Sequence, residues 1–211
     1  AFIRSGAIYT WSQNGEKRIT QENNYRFLSY DKKNHRLLFS KFIKSEEADL
    51  GFYDLTTKRE GMLLSKPNQQ IHAMASGDGN LIYFVDAYLF NSAVVQNIFS
   101  YHNRTHAVKP VVNEKKGVFF RPAPSPDGKK LAYISNDNRG RNLYIKDLRS
   151  GRVTRIATRE NYVDFPCWDN GGQKILANAL IGNSLQLVIY DLNAKTNQIL
   201  DIKGECTEGC W

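Results

Sequence analysis

The chain has 211 residues, 41% apolar and 24% charged, which is the make-up of an ordinary folded domain and excludes a disordered or fibrous protein. No run approaches the roughly 18 apolar residues of a membrane-spanning helix, and no export signal is visible. Net charge is +8, and the excess lies almost wholly in residues 114–159, so a positive face toward an acidic partner is expected there.

In chain order, residues 1–20 read as three short strands, AFIRS, AIYTW and GEKRIT, joined by polar turns. Four similar units follow. Each has a polar turn and then an apolar strand, beginning at Leu37 (LLFS), Ile82 (IYFV), Leu131 (LAYIS) and Ile175 (ILANA). The turns are YDKKNHR, SGDGNL, SPDGKK and DNGGQK, with Gly or Asn where a hairpin needs positive φ. A second landmark closes the later hairpin of each unit: Asp54-Leu55, Asp147-Leu148 and Asp191-Leu192, replaced in the second unit by YHNRTHAV.

Four short alternating strands in about 45 residues, repeated, with no helical periodicity, predict an all-β chain. The architecture this suits is a β-propeller of four-stranded antiparallel blades. The predicted blades are 23–66, 67–113, 114–159 and 160–203. At the C-terminus, CTEGCW matches VDFPCW of the last full unit, and so reads as the first strand of a blade with nothing after it. Joined to residues 1–22, residues 204–211 would complete a fifth, composite blade and close the ring, pairing edges that would otherwise be exposed. The competing reading is a fragment of a larger ring. The chain opens at Ala1, as expected of a mature or excised segment.

The stretch FRPAPSPDGKKLAYISNDNRGRNLYIKDLRSGRVTRIA resembles the repeat of TolB-like β-propellers: Pro, an apolar residue, Ser-Pro-Asp-Gly, a basic residue, a strand, then a strand ending in Asp before a Gly-containing turn. The unit at 160–203 keeps the rhythm but has Asn170-Gly171-Gly172 in place of Pro-Asp-Gly. The resemblance implies an extracytoplasmic, bacterial, mostly periplasmic binding scaffold with a protein partner. One version is the periplasmic domain of a membrane-anchored transcription regulator. Similar repeats also form the non-catalytic propeller of prolyl-oligopeptidase-type peptidases.

No nucleophile elbow, phosphate loop, zinc pair or dinucleotide fingerprint is present. No cofactor or metal is therefore expected, nor direct nucleic-acid binding, for which a recognition helix or RNA motif is lacking. The polar residues of the innermost strands are the channel candidates: Arg26, His72, Arg121, Asp164 and Glu208. Asp164 and Glu208 leave open a carboxylate pair, as a five-bladed glycosidase would use. Lys129, Lys130, Arg139 and Arg141 are candidates for a basic rim. His102 and His106 fall in a turn and read as solvated loop residues. The Asp127-Gly128 pair reads as a plain chain reversal. Cys206 and Cys210, four apart, fit a small terminal disulfide in an oxidising compartment, and Cys167, beside Trp168, reads as a buried inert thiol.

Overall fold

The computed structural model describes residues 1–156 and 162–200, and every described element is a strand. A three-stranded antiparallel sheet comes first: β1 (Phe2–Arg4), β2 (Ala7–Ser12) and β3 (Gly15–Arg18). Two four-stranded units follow, β4 (Tyr25–Asp31), β5 (Arg36–Lys44), β6 (Glu47–Asp54), β7 (Arg59–Leu64), and β8 (Gln69–Ala75), β9 (Leu81–Phe90), β10 (Ala93–His102), β11 (Val108–Val112). A single parallel contact, Ala48 to Gln69, joins these two into one eight-stranded sheet. Two further four-stranded sheets complete the described chain: β12 (Phe119–Pro124), β13 (Lys130–Asp137), β14 (Gly140–Asp147), β15 (Val153–Arg155), and β16 (Val163–Trp168), β17 (Lys174–Ile181), β18 (Ser184–Asp191), β19 (Thr196–Ile199).

The first strands of successive units pack in series, β4 on β8, β8 on β12 and β12 on β16. Hydrogen bonds between units lock that series. Ser29 Oγ donates to the Ala73 carbonyl at 2.6 Å, and Trp168 Nε1 to the Ala123 carbonyl at 2.8 Å. The core lies between sheets, not within one: Tyr133, Ile134, Leu143, Val163, Trp168 and Val188 belong to a single buried cluster spanning the last three units. Each sheet has two apolar faces and no helix to cover them, so its neighbours must.

Turn chemistry repeats with the strands. In SPDG, Ser125 Oγ donates to Asp127 Oδ1 (2.7 Å) and accepts from the Lys130 amide (2.9 Å), with Gly128 at φ +68°. Ser76 and Asp78 do the same in the preceding unit. The Asp127 carboxyl is held below its ordinary range, first by the Ser125 hydroxyl and then by the Lys129 amide; these acids serve the backbone. The later landmark is a second such turn, with Asp54, Asp147 and Asp191 each accepting from amides two and three residues ahead. In the second unit His102 takes over, its Nδ1 accepting from the amides of Arg104 (3.1 Å) and Thr105 (3.4 Å). A ring nitrogen can replace a carboxylate oxygen here because the turn asks only for an acceptor. At Gly6 (φ +77°) a Cβ would stand 1.9 Å from the Asn23 carbonyl oxygen, and this close approach fastens the three-stranded sheet to the start of β4.

One expectation is corrected. Cys167 is disulfide-bonded, not an inert thiol, and its partner lies outside the described residues. The predicted pairing of Cys206 with Cys210 falls on residues outside the described set, as do Glu208 and the C-terminal strand of the composite blade. With three cysteines in the chain, unreduced protein treated with iodoacetamide should gain one adduct by intact mass. Peptide mapping should find Cys167 unlabelled. A single adduct carried by Cys167, or three adducts, would contradict the bond.

Candidate functional site

All four first strands carry a register break at the same place, after Arg26, Ile71, Phe120 and Asp164. The next residue in each is in the left-handed region: Phe27 (φ +56°), His72 (+54°), Arg121 (+53°) and Phe165 (+52°). None of these is glycine, so each conformation costs on the order of 1–2 kcal/mol. A β-bulge re-aims the side chain at its break, and here the four re-aimed side chains form two contacting pairs. The His72 ring meets Phe27 edge-on, with centroids 4.2 Å apart. The Arg121 guanidinium lies 3.8 Å above the Phe165 ring. His72 in turn feels the Arg121 charge.

Beside this collar sits a buried carboxylate. Asp164 is 3% exposed, and Arg121 Nε approaches its Oδ1 at 3.4 Å while Arg141 Nη1 reaches its Oδ2 at 3.0 Å. Arg141 also donates to the Tyr162 hydroxyl at 2.8 Å, and its guanidinium lies over the rings of Phe120 and Tyr162. Both ring nitrogens of His72 are buried without a hydrogen-bond partner. Burial pushes the His72 pKa down to about 3, and Arg121 adds to the effect, so the ring is neutral at physiological pH.

Of the channel candidates, then, His72, Arg121 and Asp164 come together. Arg26 is exposed and lies over the Phe42 ring at 5.2 Å, and Glu208 is outside the described residues. The rim candidates separate. Lys129 and Lys130 stand at one end of β13, Arg139 and Arg141 at the other, about 25 Å away along eight residues of strand. Phe27, Phe165 and Tyr162 were not singled out from sequence. Aligning the four first strands would have placed Phe27 and Phe165 in register with His72 and Arg121, but aromatic residues in strands read as packing. Among the described residues no group of three or more His, Cys, Asp or Glu side chains could hold a metal ion, and no helix is long and apolar enough to cross a membrane.

The end at which the first strands begin is also where the β5–β6, β9–β10 and β17–β18 hairpins turn, because the strands alternate in direction. Those hairpins expose large apolar side chains: Ile43 (55%), Leu89 (60%), Phe90 (46%), Val94 (53%) and Leu180 (42%). The β9–β10 hairpin is the longest, ten residues a side, and residues 87–101 carry no charged side chain.

Comparison with known proteins agrees on the architecture. No family model matches the chain. Among curated proteins, the Tol-Pal system protein TolB of Mannheimia succiniciproducens is 40% identical over 52 residues, which cover 25% of this chain and 12% of that protein. Among solved structures, TolB from Acinetobacter baumannii superposes with a TM-score of 0.76 at 19% identity, covering 88% of this chain and 45% of that one. An oligogalacturonate lyase in complex with manganese gives 0.70 at 12% identity, covering 92% and 58%. The chain thus spans less than half of the TolB structure and about an eighth of the curated TolB sequence. The fold of this chain is that of the TolB-like β-propellers.

Proposed function

We propose that the chain is a non-enzymatic binding scaffold, a five-bladed ring closed by strands from both termini, that docks a protein partner on the face where its first strands begin. The observation that carries this reading is the set of exposed apolar side chains on three hairpins of one face. Exposed apolar clusters of this kind mark interaction surfaces, and a rigid ring presents its loops with little ordering cost on binding. The collar of Phe27, His72, Arg121 and Phe165 forms the floor of the docking face. Arg139 and Arg141 stand on that face and favour a partner with acidic groups. A disulfide at Cys167 suits an oxidising compartment, in keeping with a bacterial periplasmic setting and with the periplasmic domain of a membrane-anchored regulator.

The test is site-specific photo-crosslinking in the native host. A photoreactive residue at Phe90 should trap a discrete protein adduct, while one at the exposed Trp11, which lies on β2 away from these hairpins, should not. Equal trapping at both positions, or none at Phe90, would count against the docking face. The lyase similarity favours a second, catalytic reading, in which Asp164 would serve as acid or base. Two arginines already hold that carboxylate. The chain, given oligogalacturonate and manganese, should therefore release no unsaturated product.

A further inference from the structure

The end opposite the docking face, where the first strands finish, is built from eight turns. Four join first to second strands, residues 31–36, 76–81, 125–130 and 169–174. Four join third to fourth strands, residues 54–59, 102–108, 147–152 and 191–196. The eight make one continuous surface. Between units, a Cβ at Gly79 would stand 2.7 Å from Lys33, one at Gly77 2.5 Å from the Pro126 carbonyl oxygen, and one at Gly172 3.7 Å from the Pro126 ring. Within units, the amides of Leu55, Asn103, Leu148 and Leu192 donate to the carbonyls of His35, Asn80, Lys129 and Gln173, so each later turn is bonded to the earlier one.

Positive charge gathers on this base. Its turns hold twelve Lys and Arg against seven Asp, a net charge of +5 drawn from separate parts of the chain. Ten of the twelve cations are exposed. Among them are Lys33, Lys58, Arg104, Lys129, Arg149 and Lys195, so every four-stranded unit contributes. The acids are less available. Asp31 is buried against Arg36 at 2.9 Å, and each of the other six accepts a backbone amide of its own turn. Lys129 and Lys174 approach an aspartate only at 3.7 Å, and exposed pairs of this kind hold little. Two large aromatic side chains are exposed at the same end, Trp11 (70%) and Tyr30 (50%). Tyr30 immediately precedes the first turn. Trp11 belongs there because Gly6, at the other end of β2, accepts from the Tyr25 amide where β4 begins.

We propose that this base lies on an anionic lipid bilayer, with the docking face turned away from it. The cations are spread over four units, not lined along one groove, and a plane can meet them all at once. Each Lys or Arg within a Debye length of an anionic membrane adds attraction, and Trp and Tyr are the side chains that settle at headgroup level. The disulfide at Cys167 suits an oxidising compartment, where lipid surfaces are at hand and nucleic acid is not. This surface is opposite the docking face and does not depend on it.

The test is co-sedimentation of the full 211-residue chain with two kinds of vesicle, phosphatidylcholine alone and an equal mixture of phosphatidylcholine and phosphatidylglycerol. The chain should bind the mixed vesicles, leave the neutral ones in solution, and be released from the mixed ones by high salt. Lys129→Gln combined with Arg149→Gln should weaken binding about thirtyfold, the loss expected for two cations near an anionic surface. Lys44→Gln combined with Lys115→Gln removes the same charge from exposed positions at the other end, and should bind as the parent does. The proposal fails if the two double variants bind alike, or if neutral vesicles are bound as well as anionic ones. It fails equally if duplex DNA, at equal phosphate concentration, strips the chain from the mixed vesicles, which would make nucleic acid the partner.

Discussion

His72→Phe should abolish a large contribution to the acid sensitivity of the fold. His72 is neutral in the folded chain, its pKa pushed down to about 3 by burial and by Arg121, against an ordinary value near 6.5. Between those two values the unfolded chain binds a proton at this residue and the folded chain does not. Folding stability is therefore complete above about pH 6.5 and is lost as pH falls toward 3, at up to about 1.4 kcal/mol per pH unit. By pH 4 the parent should have lost about 3 kcal/mol from this residue alone. Phenylalanine has no such term. It also has precedent at this backbone geometry, since Phe27 and Phe165 occupy the equivalent left-handed position in neighbouring first strands. Urea unfolding at pH 7, 5.5 and 4 measures the effect as the parent-minus-variant difference. The two proteins should be close at pH 7 and diverge steadily below 6. Parallel curves would mean that His72 is accessible to protons in the folded state.

The second large effect is expected at Asp164. Asp164→Asn keeps the shape of the side chain and removes its charge, leaving Arg121 and Arg141 facing a neutral amide. Losing the buried member of an ion pair costs about 3–5 kcal/mol. The low end applies here, about 3 kcal/mol, because the Arg141 side chain is 38% exposed and water screens it. Arg141→Gln should cost far less, about 1 kcal/mol, since Arg121 remains beside the carboxylate. That asymmetry is the diagnostic result. Equal losses in equilibrium unfolding would show that Asp164 does not organise the cluster.

Much of the local structure was legible because it rests on short-range chemistry. Apolar alternation with turn residues at regular intervals gives strands, and SPDG reverses the chain because Ser125 and Asp127 bond its amides. The His102 turn shows the limit of reading by identity. The Asp-Leu landmark is missing from the second unit, yet the turn is kept, because an imidazole nitrogen meets the same need. The collar was less legible. His72 and Arg121 stood out as polar residues in apolar strands, but their aromatic counterparts Phe27 and Phe165 did not. The split of the rim candidates, Lys129 and Lys130 from Arg139 and Arg141, follows from strand length and is invisible to charge counting.

By itself, the sequence determined that the chain is all-β, built of repeated antiparallel units whose apolar strands need neighbours on both sides; alternation and turn chemistry act over a few residues and need no tertiary context. Only the tertiary structure decided that four non-glycine residues adopt left-handed backbone in their first strands and that Asp164 is shared by two arginines. Each of these arises where separate sheets converge. Local propensity opposes positive φ at Phe27, His72, Arg121 and Phe165, and it is the packing of adjacent strands that overrides it.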